Sequence, residues 1–239
     1  MTLLLLIAMS GVAGVLTTVA GAGGGLLLLL TLSAVWEPAR ALAVTAPALL
    51  FGNAHRAITL RREADLSVAR DFALGAFPAG LAGGLIAGVI PSVTATWLLV
   101  LLTFAAVLRA LLRIQLMLPR CAILGSGAGI GLLTGTTGGA GMLVSPILLS
   151  RGLVAERYVA TGAICGTVLH LSRICGYGLS GMFSPTVWLD AAVATAALLL
   201  GNGVGIRLRP LARRLPSGAL EYGVLVISVS VALFGALTR

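Results

Sequence analysis

Two glycine-rich stretches interrupt apolar runs of this chain, and their residue types suit the binding of a small anion. The first is Thr18–Gly25, with the sequence TVAGAGGG, and the second is Thr134–Gly141, with the sequence TGTTGGAG. Glycine removes side-chain bulk and loosens a helix, which frees backbone N–H groups. A helix that restarts after such a break points N–H groups and the positive end of its dipole at the break. Neutral donors of this kind hold an anion and still permit its release.

We predict that the two breaks contribute to one substrate site. Helix starts near Gly25 and Gly141 would supply N–H groups, and the threonines and Ser145 would add hydroxyl donors. The alternative is that the small residues only let helices pack closely. The candidate substrate-binding residues of the breaks and of the segments that follow them are Thr18, Gly21, Gly23, Gly24, Gly25, Thr45, Thr134, Thr136, Thr137, Gly138, Gly139, Gly141 and Thr161.

Two pairs of basic residues could assist this site. His170 and Arg173 are three residues apart and therefore share a helical face, where they could contact the anion or gate its path. His55 and Arg56 have the same interpretation, with interfacial snorkelling as the alternative for Arg56 and a hydrogen-bonded buried histidine as the alternative for His170. We expect helix-to-helix hydrogen bonds from Asn53 and Asn202 and only close packing from Gly80, Gly83, Gly84 and Gly88.

Acidic residues are rare, and this argues against a cation as the substrate. Of the seven, all but Asp190 and Glu221 lie in evident joints between apolar segments, and those two lie near segment starts. Cation and proton paths in membranes usually need intramembrane carboxylates. Soluble-enzyme motifs such as a Walker A loop, GxSxG or HExxH are absent, and the three cysteines form no CxxC pair. We therefore expect no enzymatic activity, no cofactor and no metal.

The elements that would position these residues are membrane helices. Hydrophobic residues make up 59% of the 239 residues and charged residues 10%, whereas a soluble domain carries about 25% charged residues. We expect the first 20 residues to be retained rather than cleaved as a signal peptide. The composition predicts an all-α polytopic membrane protein with one permease domain over residues 1–239. The eight apolar segments are residues 3–35, 40–60, 67–90, 92–112, 121–150, 155–180, 184–206 and 217–237.

An internal duplication relates the two halves of the chain. A shift of 116 residues aligns Thr18 with Thr134, Gly25 with Gly141 and Thr45 with Thr161, without gaps over about 30 positions. We assign the first repeat to residues 1–115 and the second to residues 120–239. Paired glycine breaks at matching positions of two halves are typical of a transport site.

The arginines indicate how the halves insert in the bilayer. The chain has 16 basic residues, all of them arginine. If every segment crosses once, nine arginines lie on one face and seven on the other. If segments 1 and 5 instead fold back at their glycine breaks, only Arg40, Arg173 and Arg239 oppose the other thirteen, as the positive-inside rule favours. The halves would then be inverted repeats with re-entrant first segments. The net charge of +9 fits such loops better than a nucleic-acid surface.

The doubled motif resembles the signature of the sulfite exporter TauE/SafE family, also called the toluenesulfonate uptake permeases. The similar stretches are GAGGGLLLL at residues 21–29 and TGGAGMLVSPIL at residues 137–148, each followed by a stretch that ends in threonine. The family pattern has proline five residues after the last glycine of each break. Pro146 fits this pattern and joins the candidate site residues, whereas Leu30 occupies the first proline position.

The resemblance implies a multi-pass permease of the plasma (inner) membrane that moves sulfite, sulfoacetate or another organosulfonate. We expect alternating access around the paired turns, with the lipid bilayer and a small anion as partners. The sequence leaves open the direction of transport, a coupling ion (H⁺ or Na⁺) and a homo-oligomer. Two alternatives on the same scaffold are an anion channel or uniporter-like pore and a membrane accessory protein that carries no flux.

Overall fold

The computed structural model describes residues 2–21, 23–91 and 122–212, with scattered positions between 93 and 119 and between 223 and 230. Within these residues the chain forms eight α-helices and two 3₁₀ helices, Arg61–Glu63 and Ala140–Leu143, with no β-strand. The α-helices are α1 (Thr2–Ala20), α2 (Gly24–Val35), α3 (Pro38–Thr59), α4 (Leu66–Ala87), α5 (Ala122–Thr137), α6 (Val144–Ser150), α7 (Ala155–Leu179) and α8 (Pro185–Ala212).

The helix boundaries confirm an all-α polytopic architecture. The first apolar segment divides into α1 and α2 at its glycine break, and the fifth divides into α5 and α6. By length and composition, three helices of the described part could cross a membrane: Leu3–Ala20, Ala155–Leu179 and Pro185–Leu211. More than half of the predicted segment 92–112 and most of the segment 217–237 lie outside the described residues, as does Cys121.

Local sequence explains several helix starts. Proline begins α3 at Pro38, where the missing N–H would have no partner in any case. The carboxylate of Asp65 caps α4 by accepting hydrogen bonds from the N–H groups of Ser67 and Val68. Gly23 precedes α2 with a φ of 93°, a left-handed conformation that residues with a side chain rarely adopt.

The duplication is visible in the helix boundaries. A shift of 116 residues places the end of α1 within one residue of the end of α5, and the start of α2 on the start of the 3₁₀ helix Ala140–Leu143. The same shift places the start of α3 within one residue of the start of α7. Each half therefore repeats a first helix, a break, a shorter helix and a long third helix.

The first and fourth helices of the two halves pack across the boundary between the halves. The first helix of each half packs along the fourth helix of the other half, so that α1 lies on α8 and α5 lies on α4. Glycines permit this approach, because a Cβ atom on Gly14 would collide with the carbonyl oxygen of Leu198 and one on Gly83 with that of Leu132. Gly83 thus has the packing role that the sequence predicts.

The first hairpin begins and ends at the same end of the molecule. Helices α1 and α8 run parallel, because Gly11 lies against Ala197 and Thr18 lies against Gly205. Arg40, at the start of α3, pairs with Asp190, near the start of α8, at 2.7 Å. The starts of α1, α3 and α8 therefore share one end, which we call the Trp36 end because it includes the joint between α2 and α3.

The second hairpin begins and ends at the opposite end. Helices α5 and α4 run parallel, with Gly127 against Phe72 and Gly135 against Gly80. Arg157, at the start of α7, pairs with Asp65, just before α4, at 3.1 Å. We call this the basic end, since the described arginines that lie at it are Arg61, Arg62, Arg70, Arg151, Arg157, Arg207 and Arg209.

The two halves are inverted with respect to each other. Helices α3 and α7, the third helices of their halves, are antiparallel: Leu42 contacts Arg173, whereas Asn53, further along α3, lies beside Gly166, earlier in α7. Segments 1 and 5 are thus broken hairpins that enter the protein from opposite ends, as the arginine distribution predicts.

Candidate functional site

A cavity of about 90 Å³ lies where the two breaks meet. A cavity needs about 10–15 Å³ to hold one water molecule, so this space accommodates several waters or a small anion. Gly21, Gly23 and Gly25 line it from the first half, and three glycines of the second break line it from the second half. The lining glycines of the second break are Gly138, Gly139 and Gly141.

Backbone conformation at the breaks requires glycine. Gly21, Gly23 and Gly138 have φ values of 82°, 93° and 74°, in the left-handed region where a side chain is strained. Helix α2 begins directly after Gly23, and its first N–H groups have no acceptor within the helix. A helical turn also begins just after Gly139. Helix starts from both halves therefore border the cavity.

Arg56 provides positive charge at the cavity wall. It lies near the end of α3 and is 5% exposed. Its Nη1 donates to the carbonyl oxygen of Thr17, its Nη2 donates to Oδ1 of Asn53, and its Nε has no hydrogen-bond partner among the described residues. The ion pairs found in the described ranges do not include it.

His170 lines the cavity from the other half. It lies on α7, is 7% exposed, and its Nδ1 is buried without a partner in the described part of the chain. The hydroxyl groups of Ser145 and Tyr158 also line the cavity, 2.6 Å from each other. Apolar side chains complete the wall, and no described lining residue is acidic. The other lining residues are Thr17, Leu26, Leu49, Asn53, Met142, Val144, Leu148, Gly162, Gly166 and Leu169.

Arg173, predicted to contact the anion, lies outside the cavity lining. It is fully buried, and its Nη1 donates to the carbonyl oxygen of Gly138 at 3.2 Å. Its Nη2 donates to the carbonyl oxygen of Leu42 at 3.1 Å and to Oγ1 of Thr45 at 2.8 Å. The hydroxyl of Tyr177, one turn further along α7, donates to the carbonyl oxygen of Gly135. We call these residues the Arg173 cluster: Leu42, Thr45, Gly135, Gly138, Arg173 and Tyr177.

The remaining predicted hydroxyl donors also lie outside the cavity lining. Thr18 donates to Oδ1 of Asn202 at 2.9 Å, and Asn202 donates to the carbonyl oxygen of Gly52, so Asn202 joins helices as predicted. Thr136 and Thr137 donate to carbonyl oxygens of their own helix, and Thr161 accepts from the N–H of Asp65 at 2.9 Å.

Three further candidates are buried and do not line the cavity. Thr134 is fully buried in α5, and its Oγ1 has no partner in the described ranges. A Cβ on Gly24 would collide with the carbonyl oxygen of Ala13, so Gly24 allows α2 to pack on α1. Pro146 lies in the first turn of α6, where a missing N–H is tolerated. Substrate binding by any of the candidate residues stays a prediction.

The sequence suggested an anion contact or gate for Arg56 but did not place it among the candidate site residues. It predicted helix-to-helix hydrogen bonds for Asn53, whose bonds in the described residues stay within α3, to Leu49 and Arg56. A signal was available, because Asn53 and Arg56 are three apart on one helical face, at the end of an apolar segment. The structure shows that this face of α3 borders the first break. Thr17 precedes the glycine motif by one position and was likewise missed, since it acts through its backbone carbonyl.

Comparison with known proteins agrees with the duplicated motif. The model of the family described as Sulfite exporter TauE/SafE matches residues 6–235. The chain belongs to the TauE/SafE family. Members of this family are membrane transporters for sulfite or related anions rather than enzymes. No curated protein matches the chain, and no solved structure matches it.

The repeats of this TauE/SafE protein differ where the family proline falls. With Leu30 in place of proline, α2 continues for 12 residues, and Leu30 is buried in it. The second half has Pro146, and there the same stretch is a 3₁₀ turn followed by the 7-residue helix α6. Proline lacks the N–H that would continue the hydrogen-bond ladder, which accounts for the shorter regular helix.

Proposed function

We propose that this TauE/SafE protein is a secondary transporter that carries a small anion by alternating access. Sulfite, sulfoacetate and other organosulfonates are the candidate substrates. The observation that supports this proposal is the convergence of both breaks on one cavity that has a buried arginine and, among its described lining residues, no carboxylate.

Electrostatics favours an anion in this cavity. The guanidinium of Arg56 is buried with two neutral acceptors, so its charge is uncompensated by any described ion pair. A charge in a low-dielectric interior interacts strongly with an opposite charge placed beside it. The helix starts at Gly24 and Ala140 add partial positive charge on two sides. Backbone and hydroxyl donors then complete the coordination without a second fixed charge.

The position of the cavity supports alternating access. Most lining residues of α3 and α7, such as Arg56 and Tyr158, lie in the halves of these helices nearer the basic end, and Leu169 and His170 lie just past the middle of α7. Towards the Trp36 end, the Arg173 cluster holds α3, α7 and the second break together. We propose that the anion enters from the basic end in this conformation. Exit at the Trp36 end would require Arg173 to release Leu42 and Thr45.

The basic end would face the cytoplasm. Seven described arginines lie at it, whereas Arg40 lies at the Trp36 end, and short cytoplasmic loops are enriched in basic residues. We propose a multi-pass protein of the plasma (inner) membrane. In this orientation the first hairpin enters from outside and the second from the cytoplasm, and they meet inside the bilayer.

Transport can be tested with the purified full chain in liposomes. We expect uptake of labelled sulfite to accelerate when sulfite or ethanesulfonate is present on the opposite side, because a carrier exchanges its substrates. Gly139→Leu should abolish uptake by filling the cavity wall. Gly125→Leu is the matched control, since Gly125 is exposed on α5 and a Cβ there meets nothing within 4 Å. Absence of exchange for every anion, with folded protein, would overturn the proposal, and flux without exchange acceleration would indicate a channel.

Alternation needs a separate test. In a variant without native cysteines, Asn53→Cys should react with a membrane-impermeant thiol reagent from the basic end. Thr45→Cys should be protected at rest and become reactive from the Trp36 end during transport. Thr45→Cys reactivity that does not depend on substrate would contradict the alternating-access mechanism.

A further inference from the structure

Two side chains from opposite halves line the same cavity, and each has a buried nitrogen without a hydrogen-bond partner among the described residues. One nitrogen is Nε of Arg56 on α3, and the other is Nδ1 of His170 on α7. Both side chains are more than nine-tenths buried. A buried polar nitrogen that makes no hydrogen bond is unfavourable, so such groups usually have a partner in the working protein. Their position at one cavity indicates a ligand between the halves.

The guanidinium of Arg56 is already oriented for such a ligand. Nη1 and Nη2 are held by Thr17 and Asn53, which belong to α1 and to α3 itself. The third nitrogen, Nε, has no acceptor in the described part of the chain. Because both acceptors are neutral, the positive charge is still available to an anion.

His170 faces Arg56 from the second half. Both side chains line the same cavity, and no described residue of its lining is a carboxylate that could pair with His170. A ring nitrogen can donate a directional hydrogen bond in the plane of the imidazole. Nε of Arg173 also lacks a partner among the described residues, but Arg173 does not line the cavity, and its two Nη groups bind Gly138, Leu42 and Thr45.

We infer that Arg56 and His170 are the two side chains that hold the anion, one from each half; this inference rests on the proposed anion transport. Arg56 supplies the charge that any anion needs. His170 supplies a second contact from the opposite wall, which an oxyanion with several acceptor oxygens can use while Arg56 holds another oxygen. The pair therefore favours sulfite and sulfonates over a halide, and it makes binding depend on both repeats at once.

Binding can be measured by calorimetry and by the shift in melting temperature of the purified full chain in nanodiscs. The probes are sulfite, ethanesulfonate and chloride. We expect Arg56→Gln to weaken binding of the oxyanions about 10- to 100-fold, the loss of a charged hydrogen-bond donor. Arg56→Lys should recover part of the affinity, since it keeps the charge without the guanidinium geometry. Arg40→Gln, which removes an exposed arginine at the Trp36 end, is the charge-matched control and should bind as the unmodified chain does.

His170→Phe separates the hydrogen bond proposed for His170 from the charge supplied by Arg56. We expect it to weaken binding of the oxyanions about 3- to 10-fold, as for a neutral hydrogen bond, and to leave chloride binding unchanged. The preference for oxyanions should therefore fall in His170→Phe but not in Arg40→Gln.

The outcomes distinguish this inference from the proposed function. If the unmodified chain binds none of the three anions, the proposed function is overturned. If it binds them and Arg56→Gln and His170→Phe bind equally well, the assignment of the two residues is overturned while anion transport stands. Melting curves without anion establish folding, and if Arg56→Gln does not fold, Arg56→Lys and His170→Phe carry the same test.

Discussion

The two buried arginines, Arg56 and Arg173, have different environments. Each lies on the third helix of its half, and neither takes part in an ion pair of the described residues. The guanidinium of Arg56 has two acceptors and borders the cavity, whereas that of Arg173 has three acceptors and is enclosed. The comparison shows that residue type and burial do not determine a role. What distinguishes the two is whether the helices around the side chain leave a space beside it.

Packing explains this difference. Around Arg173 the helices are close enough that a Cβ on Gly138 would lie 2.9 Å from Nη1 of Arg173, and the Tyr177 ring centroid lies 5.6 Å from its guanidinium carbon. Around Arg56 the chain reverses direction at Gly21 and Gly23, and the reversal leaves the cavity open beside α3. The space beside Arg56 can therefore accommodate a ligand, whereas the close packing around Arg173 suits a contact that holds helices together.

Replacement of Arg173 should produce the largest loss of stability. Arg173→Leu leaves the carbonyl oxygens of Leu42 and Gly138 buried without their donor, at a cost of about 3 kcal/mol in the free energy of unfolding. Arg56→Leu should cost less, because water in the cavity can reach Thr17 and Asn53. Denaturant unfolding in mixed micelles measures both. An equal loss in the two variants would remove the distinction between the two environments.

Alanine at the second break should destabilise the protein at Gly138, which belongs to the Arg173 cluster, but not at Gly141. Gly138→Ala places a side chain at a φ of 74° and a Cβ within 2.6–2.9 Å of Leu42, Leu29 and Arg173, so we expect it to cost about 2 kcal/mol. Gly141→Ala is the matched control, since its Cβ would lie 4.0 Å from Leu169 and its φ is not left-handed. Melting temperatures without anion test the pair. If both glycines tolerate alanine equally, the tight packing of the Arg173 cluster is contradicted.

Strong acid should weaken the start of α4 at the basic end. Hydrogen bonds from the N–H of Val68 and from Ser67 hold the pKa of Asp65 below its ordinary value of 3.8, with a smaller contribution from Arg157. Because the folded-state pKa is the lower one, this stabilisation is complete above pH 3.8 and is lost as the pH falls through the folded-state pKa. Asp65→Ala should lose about 1 kcal/mol at pH 7 and show a weaker acid dependence than the unmodified chain. An unchanged acid dependence in Asp65→Ala would contradict the capping role.

The ion pair at the Trp36 end should matter least. Arg40 and Asp190 are 2.7 Å apart, but the side chain of Arg40 is 44% exposed, and pairs of this kind contribute about 0–1 kcal/mol. We expect Asp190→Asn to change the free energy of unfolding by less than Asp65→Ala does, because Asp190 caps no helix start. A larger effect for Asp190→Asn would reverse the ranking of the two ends. Unfolding at low and high salt provides the control.

The sequence predicted the architecture well because glycine and arginine act through simple rules. Glycine breaks within apolar runs located both hairpins, and the arginine count indicated that each folds back, which the common end of the starts of α1, α3 and α8 confirms. Gly23 and Gly139 line one cavity, and substrate binding there stays a prediction. These features depend on chain direction and on backbone bulk, which local sequence determines.

The side chains around the cavity were harder to predict, because they depend on helix rotation. A threonine inside a helix can donate to a carbonyl oxygen of its own preceding turn, as Thr136 and Thr137 do, so a hydroxyl beside a break need not face it. Arg56 and Arg173 could not be ranked from sequence, since the distinction requires knowing that Arg173 reaches Thr45 of the other half.

The packing of first and fourth helices across the two halves has a consequence for biosynthesis. Helix α1 is translated before α8, along which Gly11 and Gly14 pack, and α8 follows only after the rest of the first repeat and most of the second. Until α8 is made, the glycine-lined surface of α1 has no helix packed against it, and α1 must stay in the bilayer without this contact. The contacts between the halves therefore form only after the second repeat has been made. We expect that neither repeat made by itself would be a stable folding unit.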